Sequence, residues 1–285
     1  MKLNKNKKNI YSSIFSTEKK FVMGILNITN DSFFDGGRYT TDEQIISQTK
    51  KMLDEGATII DIGAQSSRPG ANQISSEKEL KILIPTVKLL KKTFPNITLS
   101  IDTFWSKTAV HCIDLGADMI NDISAGSIDK KMIPTIAKLN KPYVLMHMKG
   151  QPKNMQINPS YGNLIEEITE FFKNKIQQLK SLGFNKIILD PGFGFGKTIE
   201  DNYKLITQLD ELQKFQMPIL IGISRKSMIY NLLNISAKDA LNGTSILNTI
   251  ALQKGAKILR VHDAKEAIEC IKIYDFIKLN NNKKK

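Results

Sequence analysis

Eight short apolar segments recur along the chain and alternate with amphipathic helical patterns. Several segments are apolar on both faces, as expected of parallel strands that helices cover on both sides. The segments are FVMGIL (21–26), TIIDIG (58–63), ITLSID (97–102), ADMIND (117–122), YVLMH (143–147), KIILD (186–190), PILIG (218–222) and KILRVH (257–262). This alternation within 285 residues predicts an α/β protein, a single-domain (β/α)₈ TIM barrel, rather than an open doubly wound sheet.

Helix-terminal signals between these segments support the alternation. Thr41 and Gln44 have the spacing of a capping box. Ser76 and Glu79 repeat that spacing at the start of the next helix, which Pro85 is predicted to kink. A Gly-Ala pair follows three helices and precedes a strand, at 56–57, 116–117 and 255–256.

The chain is strongly basic, with 41 Lys and Arg against 28 Asp and Glu and a net charge of +13. Much of the excess lies in the terminal segments MKLNKNKKN and NNNKKK, which are typical of solvated tails. Because no Pro/Gly/Ser-rich linker divides the remainder, we expect a polar extension at 1–20, a barrel at 21–279 and a basic tail at 280–285. A basic nucleic-acid-binding protein is an alternative that rests on charge alone, and no nucleic-acid partner is expected.

Cysteine usage and hydropathy argue against two further classes of protein. Cys112 and Cys270 lie in predicted helices and lack the spacing of a disulfide framework or a metal site. The N-terminus lacks the apolar core of a secretory signal, and no run reaches the roughly 18 apolar residues of a membrane span. We therefore expect a cytoplasmic protein without a membrane partner.

Polar or charged residues follow every predicted strand. In a barrel the carboxyl ends of the strands share one face, where barrel enzymes build their active sites. Two acids and several cations in such a ring exceed what the solvation of loops requires, so this face is the predicted active site. The ring comprises Asn27, Ser67, Arg68, Asp102, Asn121, His147, Asp190, Ser224, Arg225, Lys226, Arg260 and His262.

The segment IILDPGFGFGKT (187–198) ends the sixth apolar run in a glycine-rich turn. A Walker A loop fails because Pro191 stands where its first glycine belongs, and a dinucleotide fingerprint fails because Lys197 replaces its last glycine. A purely structural turn is an alternative. The favoured interpretation is a ligand edge, in which Asp190 accepts two hydrogen bonds from an amidine-like group and Phe195 forms an aromatic wall.

Eight motifs cover nearly the whole chain outside its tails: MGILNITNDSFFDGG, DIGAQSSRPGA, IDTF, INDIS, LMHMKGQPKNMQ, LDPGFGFGKT, IGISRKSMI and LRVHD. In this order they resemble the dihydropteroate synthase family of the folate pathway. The resemblance implies a transferase that condenses 6-hydroxymethyl-7,8-dihydropterin pyrophosphate with p-aminobenzoate, giving 7,8-dihydropteroate and pyrophosphate. It also implies a homodimer.

The resemblance implies a pterin pocket deep in the barrel. Asp190 and Asn121 would pair with the N–H groups of the pyrimidine edge, and Lys226 would donate to a ring oxygen or nitrogen. Asp102 would favour the positive charge that spreads into the pterin as pyrophosphate leaves. The pocket comprises Asp102, Asn121, Met146, Asp190, Gly222 and Lys226.

The remaining implied sites bind pyrophosphate, a metal ion and p-aminobenzoate. Asn27, Arg68, Arg260 and His262 would hold pyrophosphate, with Asn27 contacting a Mg²⁺ cofactor that rests mainly on pyrophosphate oxygens and water. The p-aminobenzoate site comprises Phe33, Ser67, Arg68, Pro69, Phe195, Ser224 and Lys226. The implied catalytic residues, which act by positioning and leaving-group stabilisation, are Asp102, Lys226, Arg260 and His262.

Three positions depart from the family pattern. Gln65 stands where Glu is usual, Ser67 where Thr is usual and Asn30 where Pro is usual. The first two bear on affinity for p-aminobenzoate and its mimics, and the third bears on the flexibility of the first loop. A methyltetrahydrofolate-dependent methyltransferase is the alternative that shares the Asp/Asn/Asp pocket, but it has no use for SSRPG, SRKS and RVHD together.

Overall fold

The structure, a computed structural model, describes residues 5–28, 41–65, 73–152 and 155–282. Eight strands in these residues form one parallel sheet in the order β6-β5-β4-β3-β2-β1-β8-β7. They are β1 (Phe21–Asn27), β2 (Ile59–Gly63), β3 (Leu99–Asp102), β4 (Met119–Asp122), β5 (Tyr143–Met146), β6 (Ile187–Asp190), β7 (Leu220–Ile221) and β8 (Ile258–Val261). A bridge between Leu189 and Ile219 joins the two ends of the sheet. The sheet therefore closes, and the TIM-barrel prediction is confirmed.

Helices connect consecutive strands in the described part of the chain. The α-helices are α1 (Lys5–Ser16), α2 (Asp42–Asp54), α3 (Ser76–Thr93), α4 (Ser106–Asp114), α5 (Met132–Leu139), α6 (Leu164–Ser181), α7 (Ile199–Thr207), α8 (Ser227–Leu233), α9 (Leu241–Gln253) and α10 (Ala264–Asn282), with short 3₁₀ helices at Leu209–Phe215 and Ala237–Asp239. The capping box of Thr41 and Gln44 is confirmed, and Pro85 lies inside α3 without ending it. None of these helices is long and apolar enough to cross a membrane.

The second predicted capping box, at Ser76 and Glu79, is wrong by one residue. Ser75 is the N-cap of α3, and its hydroxyl accepts a hydrogen bond from the backbone N–H of Lys78. Glu79 is buried instead, and its carboxylate accepts a hydrogen bond of 2.6 Å from the Thr103 hydroxyl. Ser75 and Ser76 have the same side chain, so the sequence alone does not show which of them is the N-cap. The inward direction of Glu79 excludes the capping box that would have required Ser76.

An apolar layer fills the barrel at the amino ends of its strands. Its members are fully or almost fully buried and come from the first or second residue of most strands, so polar residues at the opposite strand ends face a separate compartment. The strand residues of the layer are Phe21, Met23, Ile59, Met119, Val144, Ile188, Leu220 and Ile258.

The N-terminal extension, predicted to be a polar tail, contains a helix that covers this layer. Ile14 of α1 is fully buried in the same cluster, and Ile10 packs against it. Glu18 forms an ion pair of 2.8 Å with Lys278 of α10. A few apolar residues scattered through a Lys- and Asn-rich segment are a weak sequence signal, and only the open end of the barrel explains the burial of Ile14.

We expect Ile14→Ala to lower the free energy of unfolding by about 2–5 kcal/mol, because it removes a fully buried side chain from a close-packed layer. The neighbouring Phe15 is 37% exposed, so Phe15→Ala is the matched control and should cost less than about 1 kcal/mol. Urea unfolding measures both variants. Equal losses would mean that α1 does not seal the barrel through Ile14.

Candidate active site

The carboxyl ends of the strands bring the predicted residues to one face of the barrel. In the strand register Asn27 pairs with Gly63, Gly63 with Asp102, and Asp102 with Asn121, so these positions form one row. Met146 and Asp190 are paired in the same way on β5 and β6. The predicted residues Phe33, Ser67, Arg68 and Pro69, and the departure at Asn30, lie outside the described residues.

The guanidinium of Arg260, whose side chain is 18% exposed, joins two carboxylates at the centre of this face. Arg260 of β8 donates from Nε to Oδ2 of Asp61 at 2.7 Å and from Nη2 to Oδ2 of Asp102 at 2.7 Å. Nδ2 of Asn121 donates to the same Asp61 oxygen at 2.9 Å. Burial raises the pKa of Asp102, and the Arg260 guanidinium opposes that rise. The predicted Asp102, Asn121 and Arg260 therefore belong to one hydrogen-bonded cluster.

Asp61 is a member of this cluster that the sequence analysis missed. It is completely buried on β2, and two side chains converge on its Oδ2. An acid inside the apolar run IIDIG was the available signal, because a buried carboxylate requires a partner. Two carboxylates consequently offset the positive charge of Arg260. An anion bound beside Arg260 would meet the N–H donors that these carboxylates do not use.

Asp190 and Lys226 occupy the opposite side of the pocket. Oδ1 of Asp190 accepts a hydrogen bond of 2.8 Å from the backbone N–H of Gly192. Nζ of Lys226 donates to the Phe193 carbonyl at 2.6 Å and lies 4.7 Å from the centre of the Phe195 ring. Burial lowers the pKa of Lys226 to about 8, while Asp190 opposes that change. This side offers one anionic acceptor, one cationic donor and an aromatic face.

An apolar wall stands beside these polar groups. It contains the predicted Met146 and Phe195, and Trp105, Ile128 and Met148 pack against it. The predicted Gly222 lies under the pocket, where an added Cβ would come within 4.0 Å of both Lys226 and Arg260. The buried members of the wall are Phe104, Ile123, Met146, Met155 and Phe195.

Ser224 and His262 form a hydrogen-bonded pair next to Arg260. Their side chains approach at 3.0 Å between Oγ and Nδ1, and the His262 backbone N–H donates to the same hydroxyl at 3.2 Å. Burial, reinforced by the charge of Arg260, lowers the pKa of His262 to about 3. The ring is therefore neutral at neutral pH, and it offers a polar group rather than a positive charge next to Arg260.

Asn27 ends β1 in a half-buried position on the row that contains Asp102. Among the residues whose placement is described, no group of three or more His, Cys, Asp and Glu is arranged to hold a metal ion. One amide oxygen is too weak a donor set for Mg²⁺ alone, but it suits an ion that takes its other ligands from a polyphosphate and water. The site fits Mg²⁺ under that condition.

Gln65, one of the departures from the family pattern, holds the start of α3 to the end of β2. Its Nε2 donates to the Ile74 carbonyl at 2.9 Å, and its Oε1 accepts the Ile74 backbone N–H at 3.1 Å. Trp105 donates to the same carbonyl at 3.0 Å. An ionised Glu has no N–H for that carbonyl, so the amide side chain makes one bond more than the usual residue can.

Comparisons with known proteins agree with this geometry. Residues 23–262 match the profile of the family described as pterin binding enzyme. Dihydropteroate synthase of Escherichia coli K12 is 40% identical over 256 residues, covering 89% of this chain and 90% of that protein. The Yersinia pestis dihydropteroate synthase solved with a sulfonamide drug is 42% identical, with a TM-score of 0.88 over 91% of this chain and 94% of that one.

The Xanthomonas albilineans dihydropteroate synthase solved with 4-aminobenzoic acid is 34% identical, with a TM-score of 0.84 over 92% of this chain and 94% of that one. These relatives are matched over nearly their whole length, and the matched region contains every described residue of the pocket. The chain therefore belongs to the pterin-binding enzymes and, within them, to the dihydropteroate synthase family.

Proposed function

We propose that this protein condenses 6-hydroxymethyl-7,8-dihydropterin pyrophosphate with p-aminobenzoate, releasing pyrophosphate and forming 7,8-dihydropteroate. The observation that carries the proposal is the pocket in which Asp102, Asn121, Asp190 and Lys226 converge beside an aromatic wall. The family membership supports the same reaction. The chemistry is a transfer of a pterin-methyl group from a pyrophosphate oxygen to an aromatic amine.

The pterin occupies the polar side of the pocket. Its 2-amino-pyrimidine edge presents N–H groups to Asp190, whose Oδ1 is already fixed by Gly192, and to Oδ1 of Asn121, which makes no hydrogen bond within the described residues. Lys226 donates to a ring oxygen or nitrogen of the pterin. Burial of these partners gives specificity, because a ring without matching donors would leave buried polar atoms unpaired.

The pyrophosphate lies toward Asn27 and Arg260, where the remaining guanidinium donors suit phosphate oxygens. Arg68 is expected to join them from the segment SSRPG. Asn27 would help to hold Mg²⁺, which would supply positive charge that makes pyrophosphate a better leaving group. Asp102 stabilises the positive charge that the pterin acquires as that bond breaks, and Arg260 holds its carboxylate in place.

The p-aminobenzoate lies on the apolar side, with Phe195 against its ring and Lys226 within reach of both substrates. The relatives solved with 4-aminobenzoic acid and with a sulfonamide support this assignment. The attacking amine belongs to the substrate, so the protein needs no nucleophile of its own. The residues of the pocket act by holding the amine and the pterin methylene in line.

Turnover tests the proposal directly. The purified protein is mixed with both substrates and Mg²⁺, and dihydropteroate and pyrophosphate are measured. We expect both products in equal amounts, and no methyl transfer when methyltetrahydrofolate replaces the pterin substrate. Absence of dihydropteroate from folded protein that binds the pterin would overturn the assignment.

We expect sulfonamide binding to depend on the first ligand. Ser67 and Pro69, which are expected at the p-aminobenzoate site, flank Arg68, which is expected to bind pyrophosphate. Occupancy of one site is therefore expected to change affinity at the other, and such coupling is typically worth about 1–3 kcal/mol. Calorimetry with and without Mg²⁺-pyrophosphate plus pterin should show a tightening of about 5- to 150-fold. Equal affinity under both conditions would mean that the two sites are independent.

A homodimer is the proposed assembly. Helices α9 and α10 pack against each other and, with the end of α8, expose large apolar side chains that two copies of the chain could bury. Multi-angle light scattering measures the mass in solution, and a monomer across the micromolar range would contradict the proposal. The exposed side chains include Leu232, Leu233, Ile246, Ile273 and Phe276.

A further inference from the structure

Lys197, at the end of the glycine-rich turn after β6, is a buried lysine that the proposed mechanism does not use. Its side chain is enclosed, with 2% of the residue exposed. Nζ donates to the carbonyls of Gly192 and Phe195 at 2.9 and 3.2 Å, and it lies 3.1 Å from Nδ1 of His147. Three acceptors match the three donors of an ammonium group, so the charge is fully coordinated.

The turn that Lys197 holds lies directly on the backbone of the segment after β5. A Cβ at Gly192 would be 2.0 Å from the His147 carbonyl oxygen, and a Cβ at Gly196 would be 2.2 Å from that of Lys149. Both glycines have positive φ, at 69° and 65°. Only glycine permits this approach, and it closes the space around the lysine.

The same turn provides the partners of Lys226 in the pocket. Phe193, whose carbonyl accepts the Lys226 ammonium, lies between the two residues whose carbonyls Lys197 binds. Phe195, whose ring faces the same ammonium, is one of those two. The positions of both partners therefore follow from the bonds that Lys197 makes from behind the turn.

The electrostatic surroundings favour Lys197 as the donor and His147 as the acceptor. Burial lowers the pKa of Lys197 to about 7; Asp190 and Asp201 raise it, and Lys226 lowers it further. Burial and the charges of Lys197 and Lys149 hold the pKa of His147 well below its usual value. The imidazole is thus neutral, and its Nδ1 is available to accept from the ammonium.

We propose that Lys197 is a positioning residue of the active site, which fixes the turn at 192–195 so that Phe193 and Phe195 hold Lys226 and form the wall against p-aminobenzoate. Lys197 itself contacts neither substrate. The inference rests on the proposed function for its kinetic consequence, whereas its structural consequence is measurable without any substrate.

Lys197→Met tests the inference, because it keeps an unbranched side chain as far as Cε and removes every N–H donor. We expect amide hydrogen exchange to accelerate in the turn, where the Phe195 N–H donates to the Gly192 carbonyl and the Gly194 N–H to Asn202. The KM for p-aminobenzoate should rise by about tenfold, which corresponds to about 1.4 kcal/mol, with a smaller fall in kcat. Pterin affinity should fall by a smaller factor, because Asp190 and Asn121 lie on strands and only the Gly192 N–H and Lys226 link the pterin side of the pocket to the turn.

Tyr143→Phe is the matched control, because it removes a buried hydrogen bond of 2.7 Å to Asp122 within the same barrel and away from the turn. It should leave both the exchange of the turn and the KM unchanged. If Lys197→Met does not fold, Lys197→Gln, which keeps part of the donor set, takes the same measurements. The inference would be overturned if the Lys197 variant left hydrogen exchange in the turn unchanged. It would also be overturned if that variant weakened the binding of p-aminobenzoate and of the pterin by the same factor. Failure of the wild-type protein to turn over would count against the proposed function instead.

Discussion

Arg260→Ala is expected to abolish measurable turnover and to lower the free energy of unfolding by about 3–5 kcal/mol, because it leaves the fully buried Asp61 and the largely enclosed Asp102 without their cation. Arg260 donates to Asp61 and Asp102 at 2.7 Å each, and Asp61 is completely buried. Without the guanidinium, no positive charge at this position opposes the effect of burial, so the pKa of Asp102 rises and the carboxylate is protonated more easily. The variant then loses both the guanidinium proposed to bind pyrophosphate and the negative charge proposed to face the pterin.

Chemical denaturation and steady-state turnover measure the two effects. Lys107→Ala is the control for stability, because Lys107 and Glu77 form an ion pair of 2.9 Å with side chains that are 52% and 61% exposed. An exposed pair of this kind contributes about 0–1 kcal/mol. If Arg260→Ala were no more destabilised than this control, the buried cluster would not depend on its cation.

The sequence predicted the strands and the face of the site because both depend on local patterns. Runs such as TIIDIG are apolar on both faces and are bounded by helices, and the closed sheet is the architecture that buries eight of them. Once the barrel is predicted, residues such as Asp102 and Asp190 at strand ends must share one face. The barrel geometry therefore allowed a site to be predicted from the residues at the strand ends.

The sequence did not predict features that depend on contacts between distant segments. Asp61 and Arg260 are far apart in the chain, and only the pairing of β1 with both β2 and β8 brings them together. The neutral state of His262 depends equally on burial and on neighbouring cations that the fold supplies. Ile14 is buried because α1 packs over the open end of the barrel, and the composition of the terminal segment does not indicate this packing.

The glycine-rich turn shows both what the sequence predicted and what it did not. Its spacing excluded a phosphate loop, and its aromatic and acidic residues indicated a ligand edge. The structure adds the reason for two of the glycines, which meet the backbone after β5, and a partner for Lys197 in His147. A lysine next to glycines resembles a phosphate-binding residue in sequence. In the fold, Nζ of Lys197 instead makes hydrogen bonds to the carbonyls of the turn and to His147.

Asp190→Asn is expected to weaken pterin binding by about 1.5–3 kcal/mol, or roughly 10- to 150-fold, because it replaces one acceptor oxygen with a donor that faces the N–H groups of the pterin. Oδ1 of Asp190 accepts from Gly192, and an Asn carbonyl can keep that bond. Burial raises the pKa of Asp190 and Lys226 opposes the rise, so the variant also removes the charge that Lys226 faces.

Asp118→Asn is the matched control for this variant. Asp118 is also a buried carboxylate that accepts from a backbone N–H, that of Leu99 at 3.0 Å, and pairs with a lysine, Lys91 at 2.5 Å. It precedes β4, at the end of the barrel opposite the pocket. Both variants lose a buried charge of the same kind, so both should lose stability, but only Asp190→Asn should lose pterin affinity in calorimetry. Equal pterin affinity in the two variants would mean that Asp190 does not bind the pterin.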